Sequence, residues 1–309
     1  MPILSVRHLT RYRYAEPVFF GEHRIMVLPR ESYDQRVIES RLIITPEPAE
    51  LRYVHDVFGN CVAIARFAER SRTLTFESFV RLEHTPAPLA TDTEDEIDAS
   101  SRYPFAYSDE DLPDLLPSIQ RQHPDPDGRL ETWARRFVHG DRPTRVLGLL
   151  AEMTRAIRSE FRYGVRLRGG PQTPLETLEL GTGSCRDFAM LMIEAARSLG
   201  LAARFVSGYI YTPSAAPPEA GRRGGGHTHA WARVYLPSCG WVEFDPTNGI
   251  VGNTDLIRVA VARDPRQAVP LHGTWSGPSG AYEGLDVEVD VDVETGPRIL
   301  DRVLHRSPS

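Results

Sequence analysis

Three residues, in chain order, have the types and settings needed for thiol chemistry. They are Cys185 in Gly181-Thr-Gly-Ser-Cys-Arg-Asp-Phe-Ala189, His229 in His227-Thr-His-Ala-Trp231, and Asp245 in Gly240-Trp-Val-Glu-Phe-Asp-Pro-Thr247. A cysteine attacks a carbonyl as its thiolate, so it needs an imidazole to share its proton and a third group to fix the tautomer and direction of the ring. Taken alone, Cys185 reads equally well as a small buried hydrophobe. The other two cysteines read as non-catalytic: Cys61 lies in the apolar run Cys61-Val-Ala-Ile64, and Cys239 in a Pro-Ser-Cys-Gly turn.

The nucleophile needs an element to hold it. After the Gly-Thr-Gly turn, Phe188, Leu191, Met192, Ala195, Ala196 and Leu199 recur at three- and four-residue spacing up to Gly200, which predicts an amphipathic helix. Ser184 suits the N-cap, and Asp187 three residues on completes a capping-box pattern, placing Cys185 at the first helical position. Unpaired amides at a helix N-terminus favour a negative sulfur and can bring a cysteine pKa from about 8.5 down to roughly 3.5–7.5. The Cys185 backbone N–H is also a candidate oxyanion donor.

The base and its orienter call for a hairpin. His229–Tyr235 and Trp241–Asp245 read as strands around Pro237-Ser-Cys-Gly240. For His229 to meet Asp245 the two must share a face, which predicts an odd-length connection with Tyr235 opposite Trp241, or a bulge; a one-residue slip would separate them. His227, two residues back on the same face, is the alternative base, and its place after the Gly-rich stretch 221–226 suggests a rim position. The His-x-His pair lacks accompanying ligands at zinc-like spacing, so neither a metal nor any other cofactor is expected.

With these motifs in place the chain resembles the bacterial transglutaminase-like proteins, whose core looks like the papain-type thiol hydrolases. The resemblance rests on the Cys185 and Asp245 motifs, on Gly200-Leu-Ala-Ala-Arg-Phe-Val-Ser-Gly-Tyr209 and on His229-Ala-Trp231; upstream it includes Phe161-Arg-Tyr163 and Thr173-Pro-Leu-Glu-Thr-Leu178. The N-terminal part resembles the region that often precedes this core, through Thr10-Arg-Tyr-Arg-Tyr14, Pro17-Val18, Leu28-Pro-Arg30, Gln35 and Asp56-Val-Phe-Gly-Asn60. The resemblance implies Cys185 as nucleophile, His229 as general base and acid, and Asp245 as orienting partner. Tyr163, Ser184, His227 and Trp231 are candidate substrate-lining residues, although Tyr163 and Trp231 read equally as core aromatics. The fold it implies is α+β: an N-terminal antiparallel β-sandwich, then a papain/transglutaminase-like core with the nucleophile helix packed on an antiparallel sheet.

The chain of 309 residues has room for about two domains at roughly 150 residues each. Hydrophobic residues make up 41% and charged residues 25%, a balance that places it among ordinary globular proteins. Short apolar runs broken by Pro, Gly, Asn and Asp predict the sandwich over 1–86; Pro86, Pro88 and the acidic stretch from Asp92 to Asp98 predict a linker over 87–117. The core is expected over 118–309, opening with a helical pattern from Ser118 to Glu160. Thr212–Gly226 reads as a flexible insertion beside the site. Leu285–Glu294 alternates valines with acids, which predicts a half-buried strand rather than a calcium site.

The formal charge of −6 and the lack of a basic stripe argue against a nucleic-acid partner. The first residues show no basic start followed by a long apolar stretch, so neither a signal peptide nor a membrane partner is expected. Three cysteines in dissimilar contexts argue against a disulfide framework and for the reducing cytoplasm. The expected substrate is a peptide or protein amide. Hydrolysis is favoured over transfer to an amine, and a catalytically silent peptide-binding module is the reading from a different class.

Overall fold

The computed structural model describes residues 2–86, 102–140, 143–164, 170–211, 223 and 226–294. The N-terminal unit contains β1 (Ile3–Ile25), β2 (Gln35–Thr45), β3 (Glu50–His55), β4 (Cys61–Arg66) and β5 (Arg70–His84). They join one antiparallel sheet in the order β2-β5-β1-β4-β3. The expected sandwich is thus realised as a single sheet organised by one very long strand. β1 pairs with β5 from Ile3 to Arg13, shifts register before Val18, and then reaches β4 through His23–Ile25. In its middle, exposed Arg11 and Arg13 alternate with the largely buried Tyr12 and Tyr14, the period-two pattern of a strand with one packed face.

Of the expected linker, 87–101 lies outside the described residues; the remainder holds β6 (Arg102–Tyr103) and most of α1 (Leu112–Ile119). The helical pattern expected from Ser118 resolves into α2 (Arg129–Arg135), the short β7 (Thr144–Arg145) and α3 (Val146–Glu160). Pro124, Pro126 and Gly128 break it before α2, and Pro143 breaks it before α3. Then come β8 (Arg162–Tyr163), α4 (Pro174–Leu180), β9 (Thr182–Gly183) and α5 (Cys185–Ser198).

The second sheet is built from β10 (Ala203–Ile210), β11 (His229–Leu236), β12 (Gly240–Asp245), β13 (Ile250–Val251) and β14 (Leu256–Ala262), ordered β13-β12-β11-β10-β14 and antiparallel throughout. α5 packs on β10 and β11 and is covered by α2, α3 and α4. The amphipathic helix expected there is therefore buried on nearly every side, as a helix enclosed between a sheet and other helices must be. The two charges toward its C-terminal end are consumed internally. Arg197 meets Glu194 at 2.6 Å and donates to the carbonyls of Ser118, Ala203 and Arg263, while Glu194 accepts the backbone N–H groups of Gln122 and His123.

The last two strands, β15 (Leu271–Ser276) and β16 (Tyr282–Val293), return to the first sheet and pair with β1, although they follow the core in sequence. The half-buried strand expected over 285–294 is β16. Val289 is buried between exposed Glu288 and Asp290, and the acidic face meets Arg7 and Arg13.

Two side-chain amides join the units. Gln35 donates to the carbonyl of Arg258 at 2.8 Å and accepts its N–H at 3.0 Å; Asn60 does the same for Val261 at 2.8 and 2.9 Å. These amides occupy the outer edge of β14 as a neighbouring strand would, which closes an edge that would otherwise be open to association.

Candidate active site

Cys185 is the first residue of α5. Ser184 is the N-cap, its N–H and hydroxyl both donating to Asp187 Oδ2 at 2.8 Å. Asp187 Oδ1 accepts the N–H of Gln172 at 2.7 Å, which ties the segment before α4 to the start of α5. The capping pattern read from the sequence is thus present, and it stakes down the turn that carries the sulfur. Cys185 is 9% exposed, shielded yet reachable.

His229 opens β11 and Asp245 closes β12. Tyr235 stands opposite Trp241 and Leu236 opposite Gly240, the odd-length connection that puts both residues on one face. Their side chains are fully buried and hydrogen-bonded, Nε2 to Oδ2, at 2.8 Å. Asp245 is also held by the N–H groups of Thr247 (2.9 Å) and Asn248 (3.3 Å) and by the Asn248 amide (2.8 Å). Burial works against its charge, but His229 and then these donors overcome that and lower its pKa. An ionised carboxylate only accepts hydrogen bonds, so a proton sits on Nε2 and Nδ1 is the position that gains or loses the second one. Among the described residues, Nδ1 is buried without a well-formed hydrogen bond.

The imidazole's pKa is raised to about 10: burial opposes the charged ring, and the charge and hydrogen bond of Asp245, followed by those of Cys185, outweigh it. The arrangement can therefore accept a proton at Nδ1 and keep it, with Cys185 among the groups acting on the ring.

The cleft over this site has a volume of about 240 Å³ and is lined by Tyr163, Ser184, Cys185 and His227 and also by Leu285 and Val287 of β16. Tyr163 is half-buried; burial, then the nearby charges of Cys185 and Asp245, push its hydroxyl up to about 12. His227 is exposed at the rim, as its Gly-rich approach suggested, and the hydrogen bond to Asp245 belongs to His229. Trp231 corrects its expected place in the lining. It is fully buried, its ring 6.0 Å from that of His229, and it packs with Val206, Ile210 and Leu256. It supports the base from within the core. Most of the 212–226 insertion lies outside the described residues.

Sequence reasoning passed over Asn248. Besides holding Asp245, it accepts the N–H of Arg223 at 2.8 Å and donates to the Arg223 carbonyl at 3.1 Å. The signal was present: an Asp followed by Pro-Thr-Asn forms an Asx turn that folds the third residue back onto the carboxylate.

Among the described residues no group of three or more His, Cys, Asp or Glu could hold a metal ion, and no helix is long and apolar enough to cross a membrane.

Residues 4–83 match the model of the bacterial transglutaminase-like N-terminal region, and residues 131–246 that of the transglutaminase-like superfamily. An uncharacterised protein of Mycobacterium bovis is 32% identical over 303 residues, covering 93% of this chain and 91% of its own. Another, of Mycobacterium leprae, is 29% identical over 290 residues, with coverage of 93% and 98%. A solved structure described as a candidate cysteine protease from Cytophaga hutchinsonii shares the fold, with a TM-score of 0.66 at 19% identity over 96% of this chain and 93% of that one.

Proposed function

On the premise that this chain belongs to the transglutaminase-like superfamily, its core preceded by the bacterial transglutaminase-like N-terminal region, we propose that it is a thiol enzyme opening amide bonds of peptides or proteins. The observation that carries this reading is the buried His229–Asp245 hydrogen bond, which occupies Nε2 and makes Nδ1 the nitrogen that takes and holds a proton while Cys185 acts on the ring.

In this reading the Cys185 thiol gives its proton to His229 Nδ1, and the sulfur attacks the amide carbon. The carbonyl electrons move to oxygen, where the Cys185 N–H at the head of α5 is a donor. Collapse breaks the C–N bond, the amine leaves with the proton from His229, and a thioester remains. Water, deprotonated by the same nitrogen, attacks the thioester and restores the thiol. Tyr163 and Ser184 line the approach, and His227 stands at its rim. A primary amine in place of water would make the same intermediate a γ-glutamyl transfer. We favour water, because the family resemblance bears a protease-like role at least as readily as crosslinking, and we place the reaction in the cytoplasm, where the thiol stays reduced.

The test is intact-mass and product mass spectrometry of wild type and Cys185→Ala with a pool of glutamine-containing peptides, with and without methylamine. Cleavage or deamidation that depends on Cys185 and not on methylamine is the expected result. Methylamine incorporation would make the protein a transferase. Products equal in wild type and Cys185→Ala would sink the thiol mechanism, and no products would move the weight to a binding module.

A further inference from the structure

One wall of the cleft comes from the first sheet, through a strand the catalytic chemistry does not use. β16 pairs with β1 along one edge in a register that sets Thr10 opposite Val287 and Tyr12 opposite Leu285. In an antiparallel ladder every second residue bonds to its neighbour and the others point their N–H and C=O the opposite way. The Glu294 N–H goes to the Ile3 carbonyl on β1, whereas the Val289 N–H goes away from β1, to the Gly226 carbonyl at 3.0 Å. Leu285 and Val287 have the parity of Val289, so their backbone groups face outward. Among the described residues nothing takes them. Their side chains line the cleft together with Cys185 and His229.

We propose that β16 is a docking strand: the amide substrate binds as an extended peptide, pairing its backbone with Val287 and Leu285 and setting its carbonyl at Cys185. This rests on the thiol-enzyme reading above. Backbone pairing would supply affinity in any sequence, and the side-chain wall would supply preference. That wall is apolar, with Val269, Ala268 and Pro270 beside Leu285 and Val287. The acids of β16 lie on the opposite face, where Asp286 and Glu288 meet Arg13 and Arg7. The side chain lying against the wall is therefore uncharged and apolar.

Val287→Pro tests the pairing without touching the ladder, since the N–H it removes is not bonded to β1 and proline is tolerated on edge strands whose N–H faces outward. The reagents are acetyl-Ala-Leu-Val-Gly vinyl sulfone, its N-methylated-backbone analogue and acetyl-glycine vinyl sulfone, with Cys185 labelling followed by intact mass. The tetrapeptide reagent should label wild type about tenfold faster than the single-residue reagent, and either Val287→Pro or backbone N-methylation should remove most of that gain, as expected for lost hydrogen bonds. N-methylation is read on wild type, so it stands even if the variant misfolds. A full gain surviving both changes, or no gain at all, overturns the docking strand while leaving the thiol reading in place. Wild-type Cys185 reacting with the acetyl-glycine reagent no faster than in urea-unfolded protein would instead remove the thiol reading, and the docking strand with it.

Discussion

At the residue scale the site turns on a buried ring and its carboxylate. His229 has a pKa raised to about 10 against an ordinary 6.5, so its contribution to stability is full below about pH 6.5 and is lost as pH rises toward 10. Replacing Asp245 with Asn removes the larger of the two influences that raise the ring's pKa and leaves Cys185 alone against burial, so the pKa falls from its raised value. The stability that is lost as pH rises through the alkaline range shrinks accordingly. Urea unfolding of wild type and Asp245→Asn between pH 5 and pH 10 should show a shallower alkaline loss in the variant, and parallel curves would contradict the pairing. Asn248→Ala withdraws a charge-assisted hydrogen bond from Asp245, an interaction of about 1.5–3 kcal/mol, so any Cys185-dependent turnover should fall roughly tenfold or more; an unchanged rate would reduce Asn248 to a loop contact. The cap before Cys185 and the pairing of His229 with Asp245 were legible in the sequence because each rests on a local pattern of cap, turn or alternation. Trp231 misled because a strand residue next to the base shares its face without reaching the cleft.

At the scale of elements, the start of α5 and the register of the β11–β12 hairpin were both readable, since capping and odd-length connection are short-range rules. The burial of the rest of α5 was not. Glu194 and Arg197 look like a solvated face in sequence, and only the helices and loops packed over α5 turn them into an enclosed pair. Burial disfavours the charge on Arg197 and lowers its pKa despite Glu194. Glu194→Ala would leave that guanidinium without its partner at a cost of about 3–5 kcal/mol, visible as a lower urea midpoint; a change below about 1 kcal/mol would contradict the enclosed pair. Gly208 faces His229 across β10 and β11. A Cβ there would come within 2.1 Å of the Ile257 carbonyl oxygen and 2.6 Å of the Trp231 ring. Gly208→Ala should therefore destabilise by about 1–3 kcal/mol or more through overpacking, with thermal unfolding as the check and a wild-type midpoint as the contrary result.

At the scale of the whole molecule, the chain closes on itself: its last described strands complete the first sheet and wall the cleft of the second unit. Local sequence carries no trace of that pairing, because the partners of Arg7 and Val6 lie at the opposite end of the chain. The valine alternation showed that β16 is a strand and could not show what it pairs with. The amides of Gln35 and Asn60 were visible as family marks, and their physical role appears only once β14 is seen beside them. Gln35→Ala with Asn60→Ala would strip that edge, leaving buried backbone groups at about 1–3 kcal/mol each, and should lower the unfolding midpoint and promote association; a monomer of unchanged stability would contradict the docking role. In the proposed function, this architecture serves the meeting of Cys185 with His229. The most direct test is the rate of Cys185 alkylation by iodoacetamide at pH 7 in wild type, His229→Ala and Asp245→Asn, read by peptide mass mapping with Cys61 and Cys239 as internal references. At least about a tenfold drop is expected in His229→Ala and a smaller drop in Asp245→Asn, with the two reference cysteines unmoved. Equal Cys185 rates in all three proteins would contradict it.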